Sequence, residues 1–263
     1  MAFNALYIAA TGMSAQEVNV DNISNNIANI NTTSYKRGRV NFEDLLYQKL
    51  VTPGVNSSDA GSQIPSGITV GMGTRVGSLY KIFEQGALNP TPSTPLNVAI
   101  DGTGFMRVKL PSGDTAYTRD GSWQQNSDGD MVNSLGYSMD PPINIPINAT
   151  AITITSDGKV SVTVNAQVQE QGKIQLTRFS NNAGLEPIGG NMYIKTDASG
   201  EPVDGVAAEE GFGIFRQNFL ENSNVNSVLE LTDLIKAQRG YEFNSKVLQS
   251  AEQMYKTAID SKA

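Results

Sequence analysis

Apolar side chains recur every seven residues near the start of the chain, and the same spacing returns near its end. Two rows three positions apart mark each repeat, which places these side chains on one seam of a helix. The spacing predicts a helix over residues 3 to about 31 and another over residues 222 to 263. The rows are Leu6, Met13, Val20 and Ile27 beside Ala9, Gln16, Ile23 and Ile30, then Leu234, Tyr241, Leu248 and Tyr255 beside Ala237, Asn244, Ala251 and Ala258.

These two seams are candidate contacts between subunits. Such a seam needs a partner helix, and the middle of the chain carries no comparable stripe. We therefore expect neighbouring copies to cover both seams when they associate. The residues predicted to pack between subunits are Leu6, Met13, Val20, Ile23, Ile27, Ile30, Leu234, Tyr241, Leu248 and Tyr255.

Asparagine and glycine add detail to the predicted helices. A row at Asn19, Asn22, Asn26 and Asn29 keeps near-helical spacing, which favours amide contacts to neighbouring chains, with a solvated polar face as the alternative. Gly240 costs about 1 kcal/mol relative to Ala inside a helix. Its missing side chain would admit a closely packed partner helix.

A period of two dominates residues 96 to about 221. Apolar residues alternate with polar ones in short runs, and each run leads into a turn signal such as Asp101-Gly102 or Asp157-Gly158. This pattern predicts an antiparallel sandwich or irregular barrel. With a helix at each end, the fold class is α+β.

A connector over residues 34–95 separates the first helix from the β region. Turn formers accumulate between residues 47 and 67, so this part has little capacity to form a core. Glycines interleaved with Ile68, Val70 and Val76 indicate strands with tight approaches. The predicted organisation is a helical half at 1–33, the connector at 34–95, a β-rich outer domain at 96–221 and a second helical half at 222–263.

Composition excludes several functions. The chain contains no Cys and no His, which removes disulfides, cysteine nucleophiles, thiolate or imidazole zinc sites and the usual general base. A net charge of −7 argues against a nucleic-acid partner. The basic group Lys36, Arg37 and Arg39 is followed by Glu43 and Asp44, which favours a local salt-bridging surface.

Candidate chemistry is sparse. Several aspartates invite a paired-carboxylate interpretation, but Asp101, Asp120, Asp128 and Asp157 each precede Gly, which favours hairpin turns. Trp123 could stack on a sugar, although a half-buried strand position is the simpler interpretation. We expect no catalytic residue, cofactor or metal, and therefore no enzyme. No basic, apolar leader opens the chain, so a cleaved secretory signal is not expected.

Several groups of residues resemble the signatures of bacterial flagellar rod and hook proteins. Residues 25–36 read NNIANINTTSYK near the start of the chain. Near its end, residues 223–226 read SNVN and are followed by Glu230-Leu231 and by QRGYEFN at 238–244. DGTGF at 101–105 and YTRDGS at 117–122 lie between them. The matching positions near the two ends are Asn25, Asn26, Asn29, Asn31, Tyr35, Lys36, Asn224, Asn226, Gln238, Arg239, Tyr241, Glu242 and Asn244.

Length and the connector resemble the distal-rod members of that family. The hook protein is longer, and the smallest rod proteins lack the full middle domain. The resemblance implies that the terminal helices pair as a coiled-coil-like domain lining an export channel, with the β domain outside. It also implies a connector that stiffens the rod, with Tyr47, Pro53, Gly54, Pro65 and Gly67 as its candidate residues.

The resemblance further implies a location and partners. The chain would form the rod of the flagellar basal body across the periplasm, transmit motor torque to the hook and leave the cell through the flagellar type III export apparatus. Expected partners are further copies of itself, proximal rod proteins, the hook protein, the L and P ring proteins and the rod cap. Two alternatives stay open: a proximal rod protein of similar length, or a cell-wall-binding or glycosidase β domain.

Overall fold

The computed structural model describes residues 2–52, 66–165, 167–209 and 211–261. The chain forms two compact units. The first comprises Met1–Ile27, Gly38–Tyr80 and Ser227–Ala263, and the second comprises Ala28–Arg37 and Lys81–Asn226. The chain therefore passes between units at residues 27–28, 37–38, 80–81 and 226–227.

Two long helices dominate the first unit. Helix α1 spans Ala2–Ala28 and helix α2 spans Ser227–Asp260. Both predicted helices are thus present, although each is shorter than the heptad pattern suggested. Neither helix carries, in the described residues, an apolar stretch long enough to cross a membrane.

Four strands of the first unit lie in the predicted connector, and two of them, β3 and β4, cover the positions where strands were expected. Strand β1 pairs with β4, and β2 pairs antiparallel with β3, in two separate two-stranded ribbons. The last residue of β4 belongs to the second unit. The strands are β1 Gly38–Asp44, β2 Tyr47–Val51, β3 Ile68–Gly71 and β4 Thr74–Lys81.

The second unit is built from short strands, as the period of two predicted. A five-stranded sheet has the order β11-β7-β8-β17-β16 and a three-stranded sheet the order β12-β13-β14, while the other strands form pairs. All the pairings whose register is resolved are antiparallel. One 3₁₀ turn covers Asn182–Gly184. The strands are β5 Leu88–Pro90, β6 Val98–Asp101, β7 Met106–Lys109, β8 Thr115–Thr118, β9 Gln124–Gln125, β10 Met131–Val132, β11 Met139–Asp140, β12 Ala151–Ile154, β13 Lys159–Val164, β14 Gln167–Lys173, β15 Leu176–Arg178, β16 Glu186–Gly189, β17 Met192–Ile194, β18 Val203–Gly205, β19 Ile214–Gln217 and β20 Phe219–Glu221.

Two apolar clusters form the core of the second unit. The larger collects the inward residues of several sheets around Ile100, Met106 and Trp123. Trp123 is 3% exposed, so it is buried more deeply than the sequence suggested. The smaller is aromatic: Phe105 and Tyr193 meet Phe83 edge-on, with ring centroids 5.4 and 5.1 Å away. Such edge-to-face pairs add roughly 0.5–1.5 kcal/mol each beyond area burial.

Candidate functional site

The two helices of the first unit contact each other at three levels. A Cβ on Gly240 would lie 3.3 Å from Gln16 Cδ, and a Cβ on Gly12 would lie 2.7 Å from Asn244 Nδ2. Further along, Asn26 Nδ2 donates to Glu230 Oε2 at 3.2 Å. Residue numbers rise on one helix as they fall on the other, so α1 and α2 run antiparallel. The close approach predicted at Gly240 is therefore made by α1 of the same chain.

Two asparagines of the row on α1 form hydrogen bonds within the first unit. Asn26 Oδ1 accepts from Gly38 N at 2.8 Å, and Nδ2 of both Asn22 and Asn26 donates to Gly38 O at 2.9 and 3.0 Å. A Cβ on Gly38 would overlap sterically with Asn22 Oδ1, so a larger residue there would displace the Asn22 amide from its hydrogen bond. For Asn22 and Asn26 the structure shows a partner within the chain, the returning backbone at Gly38, while amide contacts to neighbouring chains stay a prediction. Backbone at the start of a strand has an N–H and a C=O that need hydrogen-bond partners. A single side-chain amide can form hydrogen bonds with both groups.

The ten predicted packing residues differ in how far their own chain covers them. Ile23 is buried, as are Ala237 and Ala251 from the companion rows. Tyr241 and Tyr255 remain 44% and 40% exposed. The half-buried members are Leu6, Met13, Val20, Ile27, Ile30, Leu234 and Leu248. Part of each seam is therefore used within the chain.

Two of the five predicted connector residues, Tyr47 and Gly67, lie at the starts of β2 and β3. Tyr47 pairs with Gly71, and its Cε1 lies 3.4 Å from where a Gly71 Cβ would stand. Gly67 is half-buried and directly precedes β3. Pro53, Gly54 and Pro65 lie outside the described residues. The ribbon exposes several apolar side chains: Leu46 at 89%, Tyr47 at 57%, Leu50 at 53% and Ile68 at 55%.

The second unit contains a buried ionic cluster around one carboxylate. Glu221 Oε1 accepts from Lys36 Nζ at 2.5 Å and from Gly86 N at 2.9 Å, while its Oε2 accepts from Arg119 Nε at 2.9 Å. The side chains of Lys36 and Glu221 are fully buried and that of Arg119 is 5% exposed. Lys36 was predicted within a salt-bridging surface. For Lys36 this prediction is wrong, because its side chain is fully buried and pairs with Glu221 from a distant segment of the chain.

Backbone carbonyls surround the excess positive charge of this cluster. Lys36 Nζ also donates to Glu84 O at 2.7 Å, and the Arg119 guanidinium donates to Gly104 O at 2.8 Å and Gly102 O at 3.1 Å. Burial lowers the pKa of the Lys36 ammonium; Glu221 opposes this shift and the Arg119 charge adds to it. Buried charges are tolerated when paired and hydrogen-bonded, and all three charges here are.

Asn224 forms hydrogen bonds to two segments that lie next to points where the chain passes between units. Its Nδ2 donates to Ile82 O at 2.8 Å, and its Oδ1 accepts from Arg37 N at 2.8 Å. Beside it, Lys81 Nζ lies 4.3 Å from the centroid of the Tyr35 ring and 3.1 Å from the Tyr35 hydroxyl. Burial lowers the pKa of Lys81. Asn224 therefore joins three segments of the second unit by hydrogen bonds, and each of these segments leads to one of the four points where the chain passes between units.

Other signature residues lie on the helices or in the segments next to them. Arg239 pairs with Glu242 at 3.2 Å, one turn along α2. Gln238, Tyr241 and Glu242 face α1 across a cavity of about 370 Å³, whose other lining residues are Glu17, Val20 and Asp21. Asn29 Oδ1 accepts from Thr32 Oγ1 at 3.1 Å, while Asn25, Asn31 and Asn226 are exposed.

Sequence reasoning missed Glu221 and gave Glu230 no partner, although these two carboxylates complete the two networks. Glu221 directly adjoins the C-terminal signature region, and Glu230 lies within it. A single sequence does not indicate which distant cation or amide each carboxylate contacts. The available hint was chemical: Lys36 and Arg119 belong to signature groups, and a buried cation needs an anion.

The aspartates suspected of catalysis sit in turns. Gly102, Gly129 and Gly158, which follow three of them, have positive φ values of 115°, 91° and 87°, as the turn interpretation requires. Gly121 does not; it is needed because a Cβ there would collide with Val98 O. The described residues hold no group of three side chains suited to a metal ion.

Comparison with known proteins matches these features to one class of assembly protein. Residues 6–36 match the family profile "Flagella basal body rod protein", residues 99–162 match "Flagellar hook protein FlgE/F/G D1 domain" and residues 216–261 match "Flagellar basal body rod FlgEFG protein C-terminal". Each matched region supplies one member of the ionic cluster: Lys36, Arg119 and Glu221 respectively. The chain belongs to this family of flagellar rod and hook proteins.

Curated relatives resemble the chain over almost its full length. The flagellar basal-body rod protein FlgG of Caulobacter vibrioides is 50% identical over 252 residues, covering 95% of this chain and 96% of the relative. FlgG of Agrobacterium fabrum is 45% identical over the same coverage, and FlgG of Bacillus subtilis is 34% identical over 98% of both chains. The family is structural, so the chain is a rod protein of the flagellar basal body and not an enzyme.

Proposed function

We propose that the chain is a subunit of the distal rod, polymerising into a rigid helical tube that transmits torque to the hook and encloses the export channel. The comparison within one organism supports the distal assignment over a proximal one. The FlgG protein of Caulobacter vibrioides is 50% identical to this chain, whereas its FlgF protein is 28% identical.

The terminal helices carry the assembly in this proposal. They pair as an antiparallel, coiled-coil-like inner layer, supported by the contacts at Gly12, Gly240 and Asn26. The observation that carries the proposal is the apolar surface that this pairing leaves uncovered on α2. Side chains at least 40% exposed are Val228, Leu229, Leu231, Ile235, Tyr241, Phe243, Val247, Met254, Tyr255 and Ile259. Apolar surface of this extent marks an interaction site.

Partners and route follow from the same role. Copies of the chain contact each other, the proximal rod proteins below and the hook protein above, while the L and P rings surround the tube. The rod cap and the type III export apparatus act during its construction. The protein leaves the cell without cleavage of a signal peptide.

The ribbon of β2 and β3 stiffens the tube by lying between neighbouring subunits. Its exposed Leu46, Tyr47 and Leu50 support this role, because a lone two-stranded ribbon is marginally stable and gains from being covered. Deletion of residues 47–65 should give curved or flexible tubes when polymers are compared by electron microscopy. Straight tubes from the deletion would contradict the stiffening role.

A truncation tests the assembly role itself. A chain ending at Asn226 keeps Glu221 and Asn224 and lacks α2. We expect the full chain to form tubes above a threshold concentration and the truncated chain to form none. Trp123, the single tryptophan, lies in the core of the second unit and reports by fluorescence that this unit stays folded. Tubes formed by the truncated chain would refute assembly through the helices.

A further inference from the structure

Helix α2 presents an apolar stripe that is separate from the predicted seam. Phe243, Val247 and Met254 are 61%, 51% and 65% exposed. Val247 and Met254 follow Phe243 by four and eleven residues, close to one and three helical turns, so the three side chains share one face. The seam rows are the ones that contain the buried Ala237 and Ala251. The stripe of Phe243, Val247 and Met254 is called the outer stripe below.

Positive charge accompanies the outer stripe. Lys246 is exposed and adjoins Phe243 and Val247, and Lys236 lies two turns before Phe243 on the same side. Asp233 neutralises Lys236 at 2.9 Å. Lys246 has no ion-pair partner within 4.0 Å among the described side chains and is not neutralised in the same way.

Helix α1 offers a complementary surface. Tyr7, Ser14, Val18 and Asp21 are all exposed, and the last three follow Tyr7 by seven, eleven and fourteen residues, close to whole turns. A depression of about 330 Å³ lies along this face, lined by Tyr7, Ser14, Val18 and Val76 among others. Arg75 also lines it, but Glu43 neutralises this charge at 3.0 Å.

The charged side chains of α1 are all acidic. The helix contains Glu17 and Asp21, both exposed, and no Lys or Arg. Asp21 lies about one turn beyond Val18 and places negative charge at the end of the depression, which complements an apolar stripe with a basic neighbour. Electrostatic complementarity of this kind fixes register and disfavours wrong partners.

We infer that the outer stripe of one copy docks in the depression on α1 of a second copy, with Lys246 beside Asp21. The contact joins two different surfaces of the same chain, so it is heterologous and extends into an open polymer. This inference rests on the proposed self-assembly and assigns its contact to residues outside the predicted seam.

Engineered cysteines test the contact directly, because the natural chain has none. The full chain carrying Val18→Cys and Val247→Cys should form a ladder of disulfide-linked oligomers after mild oxidation above the assembly threshold. The matched control, Val18→Cys with Gln249→Cys, uses a residue that is exposed on α2 but off the stripe, and should give no ladder. A shifted monomer band alone would show an internal contact and overturn the inference, as would a linked species containing a different protein in cells.

Charge reversal tests the identity of the docking surface. Lys246→Glu should raise the threshold concentration for assembly about tenfold, and adding Asp21→Lys should restore it, because every copy carries both surfaces. Phe243→Ser with Met254→Ser should raise the threshold by at least about tenfold, whereas Gln249→Ser, on the opposite side of α2, should change it less than about twofold.

The outcomes separate the two claims. If the wild-type chain assembles and the Phe243 and Met254 variant assembles equally well, the inference fails and the proposed function stands. Loss of assembly in Tyr241→Ser alone would indicate that the predicted seam, and not the outer stripe, makes the contact between copies. If the folded wild-type chain never self-associates, the proposed function fails, and the inference fails with it.

Discussion

Lys36 and Glu221 are in direct contact at 2.5 Å although 185 residues separate them in the chain. The pair joins the segment that follows α1 to the segment that precedes α2. Arg119, from the middle of the second unit, shares the same carboxylate. The two ends of the β unit are thereby held at one buried point, next to the passages toward the helices.

Glu221→Gln should destabilise the second unit by about 3–5 kcal/mol, because it leaves two buried cations without an anion. Lys36→Met should cost less, about 1–3 kcal/mol, since Arg119 still neutralises Glu221. Urea denaturation followed by Trp123 fluorescence measures both. Equal losses in the two variants would mean that the cluster does not depend on its single carboxylate.

Alkaline pH should destabilise the second unit through its buried tyrosines. Burial raises the pKa of Tyr117 and of Tyr193 above the ordinary value of 10.0. The unfolded chain therefore loses these protons first, so the stability they contribute is full below about pH 10 and is lost as pH rises beyond it. Tyr193→Phe should flatten this loss in urea midpoints measured between pH 9 and 11.

Lysines contribute with the opposite sign in the same pH window. The pKa of Lys36 is lowered, so the folded state gives up that proton before the unfolded state and gains stability as pH rises. Because Lys36 is present in both the wild type and Tyr193→Phe, its contribution cancels in their difference. A Tyr193→Phe curve parallel to the wild type would contradict the tyrosine assignment.

Asn26→Ala should destabilise the first unit by about 1–3 kcal/mol, since Gly38 and Glu230 lose a buried partner. Ser24→Ala, exposed on the same helix, is the control and should stay within about 0.5 kcal/mol of the wild type. Far-ultraviolet circular dichroism follows the helices during denaturation. A neutral Asn26→Ala would show that the amide contributes no net stability.

Gly240→Ala should stabilise α2 by up to about 1 kcal/mol. The new methyl would lie 3.3 Å from Gln16 Cδ, and the flexible, half-buried Gln16 can shift by the small distance required. Gly240→Leu should instead separate the helices and lower the thermal midpoint of the circular dichroism signal. If alanine proves as harmful as leucine, Gln16 is held more firmly than its exposure suggests.

Local pattern predicted the elements well, because it depends on residues close in sequence. Heptads at Leu6 and Leu234 predicted both helices, and alternation around Val98 and Met106 predicted antiparallel strands in the middle. Asp-Gly pairs predicted three turns with positive φ at glycine. The fourth, at Gly121, has a different cause, since steric contact with Val98 O is a tertiary effect.

Contacts between residues distant in sequence could not be predicted, because local pattern depends only on residues close in sequence. Nothing near Lys36 in sequence indicates that its anion is Glu221, and nothing near Asn26 indicates that its amide meets Gly38. The second unit also includes residues 28–37 and 81–95, beyond the predicted outer-domain range of 96–221, because these segments pack through the same contacts. Whether Leu6, Tyr241 and the other seam residues also pack between subunits stays a prediction.

Electron cryo-microscopy of tubes formed by the full chain tests the central claim most directly. The account predicts an inner layer of paired α1 and α2, with Phe243, Val247 and Met254 of each copy seated against Val18 of the next. Tubes held together by the β unit alone, with those three side chains facing solvent, would contradict it.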